Sequence, residues 1–88
     1  RGLTPSLYFY RDNQGHEIDL LHQRGSELSG IEIKSASTWS PSFKKALEHF
    51  HQKIHSLSNR AVVYSGDAIE FSDGIRAMSF MDVEHLFD

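Results

Sequence analysis

Apolar and polar residues alternate with a period of two along the first third of the chain and then change period. Residues 7–11 read as a strand rich in aromatics, and Asp12-Asn13-Gln14-Gly15 as a turn whose glycine can take positive φ. The returning strand, residues 16–22, sets Glu17, Asp19 and Leu21 on one face and Ile18 and Leu20 on the other, because successive strand side chains point to opposite faces. After a polar connection containing Arg24, Gly25 and Ser26, a third strand over residues 28–36 points Ile31 and Ile33 one way and Glu32, Lys34 and Ala36 the other. Ser40-Pro41 then starts a helix, with Ser as N-cap and Pro in the first turn. Phe43, Leu47, Phe50, Ile54 and Leu57 follow at alternating spacings of four and three, one apolar stripe that ends near Asn59. Residues 60–65, with the β-branched pair Val62 and Val63, read as a further strand. The turns Gly66-Asp67 and Asp73-Gly74 bound a short, edge-like hairpin over residues 69–71 and 75–78, and residues 81–87 read as a short terminal helix.

The pattern predicts an α/β domain: a mixed sheet of about four strands, one long helix on one face and a short C-terminal helix. The helix is expected to cover Ile18, Leu20, Ile31 and Ile33, leaving Glu17, Asp19, Glu32 and Lys34 on the open face. With 88 residues, 39% hydrophobic and 24% charged, the chain is expected to form a single domain over residues 1–88. It begins at Arg1 without an initiator Met and enters strand-like sequence almost at once, so it is expected to be a C-terminal fragment of a longer protein. It contains no cysteine, which excludes disulfides and thiolate metal sites. No apolar run approaches the roughly 20 residues that span a bilayer, and no signal peptide precedes the first strand, so a cytoplasmic protein with no membrane partner is expected.

Charge bears on chemistry in two opposing ways. A net charge of −3 weighs against strong nucleic-acid binding by this segment alone, since such affinity comes mainly from Lys and Arg on phosphates. Carboxylates that ligate a metal contribute to that count, however, and a bound divalent cation reverses the local field. Glu17, Asp19 and Glu32 gather three acids on one face against the single Lys34, and like charges so arranged favour a cation. Metal-assisted phosphodiester hydrolysis needs hard oxygen ligands, a polarised water and a cation near the phosphate. Asp19 and Glu32 are candidate ligands, the backbone carbonyl of Ile33 a third, and Lys34 the group that orients water or stabilises developing charge. Glu17 is a candidate supporting acid or part of a second metal position. The competing reading is ordinary cross-strand charge pairing on a half-exposed sheet.

The run from Leu7 to Leu21 (LYFYRDNQGHEIDLL), followed by Ile-Glu-Ile-Lys-Ser from Ile31 to Ser35, resembles the C-terminal domain of unknown function that follows the ATPase module in prokaryotic AAA-type ATPases. That domain is in turn similar to PD-(D/E)XK, or restriction-endonuclease-like, nucleases. The likeness continues through the helix, through residues 62–67, and into Asp73-Gly74-Ile75 and residues 80–87. The resemblance implies a restriction-endonuclease-like core, with Asp19 as the motif aspartate, Glu32 and Lys34 as the (D/E)-x-K pair and Glu17 as the accompanying acid. The family's helix before the first strand, which commonly adds a further Glu, is absent here, as is the ATPase module. Met78-Ser79-Phe80 stands where the family tends to carry an apolar-Pro pair.

The function expected from residues and resemblance together is a Mg²⁺- or Mn²⁺-dependent phosphodiester hydrolase of nuclease type, with Asp19, Glu32 and Lys34 as its catalytic residues. The alternative is a catalytically silent module for DNA or protein binding and assembly. Expected partners are nucleic acid, the ATPase module of the same full-length chain and a second copy of the domain, because the face an upstream helix would have covered stays partly apolar. Lys44 and Lys45 give the helix a modest basic side for phosphates, more simply a solvated face. His51 and His55, one turn apart, are metal-ligand candidates without an acid at good spacing, and the apolar stripe puts them on the solvated side. Trp39 is expected to pack near the helix start.

Overall fold

The hairpin that opens the fold is set by its turn. In the computed structural model, which describes residues 6–85, β1 (Ser6–Arg11) folds back antiparallel on β2 (Glu17–Arg24). Asp12 Oδ1 accepts the backbone N–H groups of Gln14 and His16, both at 2.9 Å, and Gly15 completes the reversal at φ 87°. A side chain rarely adopts that φ, although a Cβ at Gly15 would meet nothing within 4 Å. Gly15→Ala is therefore expected to destabilise the domain by roughly 1 kcal/mol through backbone strain alone, read from urea melts.

A tight turn through Gly25 leads into β3 (Glu27–Ile33), antiparallel to β2. A single 3₁₀ turn (Pro41–Lys44) and α1 (Lys45–Lys53) then cross over to β4 (Asn59–Tyr64), which pairs parallel with β3. The Ser40 side chain accepts from Ser42 N and caps the turn. The short β5 (Ile69–Glu70) is the outer strand, and β6 (Ile75–Ser79) lies between it and β4, parallel to β4. The result is one six-stranded sheet in the order β1-β2-β3-β4-β6-β5.

This overturns the expected fold class of about four strands and a short C-terminal helix. The hairpin read as an edge appendage joins the main sheet through β6, whose Ile75 and Ala77 are buried. The chain after β6 forms a 3₁₀ segment (Phe80–His85) that packs on β4 and β6, and Phe87 of the expected terminal helix lies outside the described residues. The long helix is also shorter than its apolar stripe. Ile54 N and His55 N both donate to Phe50 O at 2.9 Å, which unwinds the last turn, and Leu57 N donates to His51 Nδ1. Leu57 still reaches the core from the connection, whereas Ile54 is half exposed.

The helix covers a different set of strand residues from the one expected. Tyr8 pairs with Leu21 and Tyr10 with Ile18, so three steps along β2 oppose two along β1: a β-bulge at Asp19 and Leu20. Ile18 and Leu21 consequently both face α1, in one cluster with its Leu47 and Phe50 and with Leu28, Leu57, Val62 and Ile75. Ile31 lies on the opposite face with Ala61, Val63 and Met78, and Leu20 packs against that second cluster. Ile33 is half exposed. At Gly30 the helical layer lies directly on the sheet, since a Cβ there would come within 2.9 Å of both Leu47 Cδ2 and Leu57 Cδ1. Glu32 has the parity of Gly30 and pairs with Val62, so it does not lie on a face opposite the helix. No helix among the described residues is long and apolar enough to cross a membrane.

Candidate functional site

Regular pairing of β2 with β3 ends at Leu20 and Ile31, and two carboxylates continue the connection. Asp19 N donates to Glu32 Oε1 at 3.0 Å, and Ile33 N donates to Asp19 Oδ2 at 2.8 Å. Each acid thus takes a backbone N–H of the neighbouring strand. Its other oxygen, Asp19 Oδ1 or Glu32 Oε2, is not used in that exchange. The N–H and C=O of one residue in an extended strand share an edge, so the Ile33 carbonyl faces the β2 side as its N–H does.

Glu32 is 4% exposed, whereas Asp19 is exposed at the mouth of the site. Lys34 Nζ lies 3.7 Å from Glu32 Oε2, half exposed, and 5.8 Å from the centre of the Phe43 ring. Burial, joined by the Asp19 carboxylate, pushes the Glu32 carboxyl up to about 7, against the downward pull of the Asp19 N–H and Lys34. Glu32 therefore changes charge near neutral pH rather than in the usual carboxylate range.

The structure brings Asp19, Glu32 and Lys34 together in a cleft of about 310 Å³ between the end of β3 and the start of the helical segment, bordered by His16, Glu17 and Lys45. Glu17 stands beside the three but forms an ion pair with Arg11, Nε to Oε2 at 3.1 Å. Lys44 is engaged elsewhere: its ammonium contacts Asp73 Oδ2 at 2.8 Å and sits 3.6 Å from the centre of the Phe71 ring. Lys45, exposed at the cleft, is the basic residue of that pair open to a phosphate. Trp39 packs among Phe43, Tyr64 and Phe71. His51 is not simply solvated, since it accepts from Leu57 N, and His55 Nδ1 contacts Ser56 O.

A match to the sequence model described as Domain of unknown function (DUF4143) extends over residues 1–83. The chain belongs to that family. No curated protein and no solved structure was found to match it. The restriction-endonuclease-like core expected above finds no match, and over the described residues the domain is a six-stranded mixed sheet with one α-helix.

Sequence reasoning missed a second cluster. Asp12 and His16 on the β1–β2 turn meet His49 of α1, with His16 Nδ1 at 3.0 Å and His49 Nε2 at 3.6 Å from Asp12 Oδ2. Partial burial alone would raise the Asp12 carboxyl, but the N–H groups of His16 and Gln14, with the His16 ring, hold it below its ordinary value. Asp12 reads in sequence as a turn residue, and His49 lies more than thirty positions away, so no local spacing announces the group.

Proposed function

We propose that the cleft holding Asp19, Glu32 and Lys34 is a Mg²⁺-dependent phosphodiester hydrolase site of nuclease type. The observation that carries this reading is a buried carboxylate, Glu32, set against a second carboxylate and an ammonium at the mouth of one cleft. The order Asp19, then Glu32-x-Lys34, is that of a PD-(D/E)XK site, and that likeness to nucleases points to nucleic acid as the substrate class. The donor set fits a hard divalent cation: one oxygen of each acid remains outside the reciprocal backbone exchange, and the Ile33 carbonyl faces the same edge. Asp19, Glu32 and the Ile33 carbonyl would hold the ion, which supplies a polarised water and charge neutralisation when bound. Lys34 presents its ammonium to the phosphate oxygens, where charge grows as the phosphorus–oxygen ester bond breaks. Lys45 steers the phosphate backbone toward the cleft.

One observation favours the silent-module reading. Each acid caps a backbone N–H of the adjacent strand, a role that would keep both residues in a purely structural domain. Asp19→Asn separates the two roles, because an amide oxygen can still accept from Ile33 N but carries no charge for a cation. Mg²⁺ at ten times its dissociation constant is expected to stabilise the native chain by about 1.4 kcal/mol and raise Tm by roughly 6 °C, with no rise in Asp19→Asn. A melting temperature indifferent to millimolar Mg²⁺ in the native chain would leave the structural module as the function.

A further inference from the structure

We propose that Asp12, His16 and His49 form a binding site for Zn²⁺ or a similar borderline transition cation, with ligands different from those of the neighbouring Asp19, Glu32 and Lys34 cleft, whose rim His16 also borders. The ligating atoms come from two elements, the β1–β2 turn and α1, and lie within 4.8 Å of one another. Four-coordinate zinc with bonds of about 2.0–2.1 Å places neighbouring ligand atoms roughly 3.3 Å apart. The two separations from Asp12 Oδ2, 3.0 and 3.6 Å, straddle that value.

The carboxylate is oriented in advance. Its Oδ1 is fixed by two backbone N–H groups, and its Oδ2 is turned to both imidazoles, with Tyr10 Oη at 3.5 Å. The two rings stack with centroids 3.8 Å apart and planes 4° from parallel, side by side against Asp12 Oδ2, and binding one ion in both ring planes requires one ring to tilt. Two imidazole nitrogens and one carboxylate oxygen suit Zn²⁺, Ni²⁺ or Co²⁺, whereas Mg²⁺ prefers all-oxygen sites. The three side chains are 20–31% exposed, which lets an ion enter. Three protein ligands leave a fourth position for water or a small anion. Asp12 and His49 border a groove of about 410 Å³ that also contains Asn13, Gln14 and Lys53, and Lys53 supplies a cation for that anion. Held in this way, the metal ties the opening hairpin to the helix.

Calorimetric titration of the untagged chain with ZnCl₂ is expected to give one equivalent bound, and Co²⁺ substitution to give the visible absorption of a low-coordinate site. His49→Gln and His16→Ala should each weaken Zn²⁺ binding at least tenfold with the circular dichroism spectrum unchanged. Asp12→Asn keeps the turn acceptor and removes the charge, and should weaken it too. His55→Ala, outside the cluster, should leave it unchanged. Asp19→Asn should also leave Zn²⁺ binding unchanged, so failure here is distinguishable from failure of the Mg²⁺ site. Absence of Zn²⁺ binding below millimolar concentration, or binding that survives both His49→Gln and His16→Ala, overturns the proposal.

Discussion

Lys34→Ala is expected to lower Mg²⁺-dependent cleavage of DNA or RNA by about 10²- to 10³-fold while leaving Mg²⁺ affinity nearly unchanged, the magnitude typical of losing one preorganised group that stabilises transition-state charge. The split follows from geometry. Lys34 Nζ faces Glu32 Oε2 from 3.7 Å and is half exposed, so it can reach a phosphate oxygen without being a ligand itself. Asp19→Asn should instead lose both cleavage and Mg²⁺ binding, since its carboxylate is one of the proposed donors. Cleavage is best measured at low salt, where the phosphate contacts open to a chain of net charge −3 are strongest. Mg²⁺-dependent cleavage that persists in both variants would place the catalyst elsewhere.

The second large effect is on stability. Glu32 is raised from 4.5 to about 7 in the folded chain, chiefly because burial disfavours its charged form. A carboxyl raised by folding contributes stability that is complete below its unfolded pKa and lost as pH climbs through the folded one. Between pH 4.5 and 7 that loss approaches roughly 3 kcal/mol, at 1.36 kcal/mol per unit. Glu32→Gln keeps an acceptor for Asp19 N and never ionises. Urea melts should find the native chain and Glu32→Gln similar at pH 4, and Glu32→Gln more stable by up to about that amount at pH 8. Equal slopes against pH in the two proteins would show that Glu32 carries no such burden. A buried acid that weakens the fold at neutral pH is a feature expected where a residue serves a site.

Local chemistry made much of the architecture legible. The Asp12 to Gly15 turn, the Ser40-Pro41 start and the Val62-Val63 strand each depend on residues within a few positions of one another, and each appears where those residues stand. What the sequence concealed was non-local. The bulge that lets Ile18 and Leu21 share a face depends on how β1 meets β2, and one inserted residue reverses every parity beyond it. For that reason Leu20 and Ile31 lie away from the helix, and Glu32 lies on its side. The juxtaposition of Asp19 with Glu32 survived the error because it depends on the order of β2 and β3, not on which face is covered. β5 and β6 read as an appendage because β6 finds its parallel partner only through β4. The end of α1 was hidden by the stripe itself, which continues to Leu57 although the backbone unwinds at Ile54.

Paramagnetic broadening by Mn²⁺ tests the central claim most directly, because it reports at single residues where a hard divalent cation sits. In an amide NMR spectrum of the native chain, substoichiometric Mn²⁺ should broaden Asp19, Glu32, Ile33 and Lys34 first, excess Mg²⁺ should restore them, and Asp19→Asn should abolish the effect. Broadening that centres instead on Asp12, His16 and His49, or that spreads over the surface and ignores both Mg²⁺ and Asp19→Asn, would contradict a metal-dependent site at the end of β3.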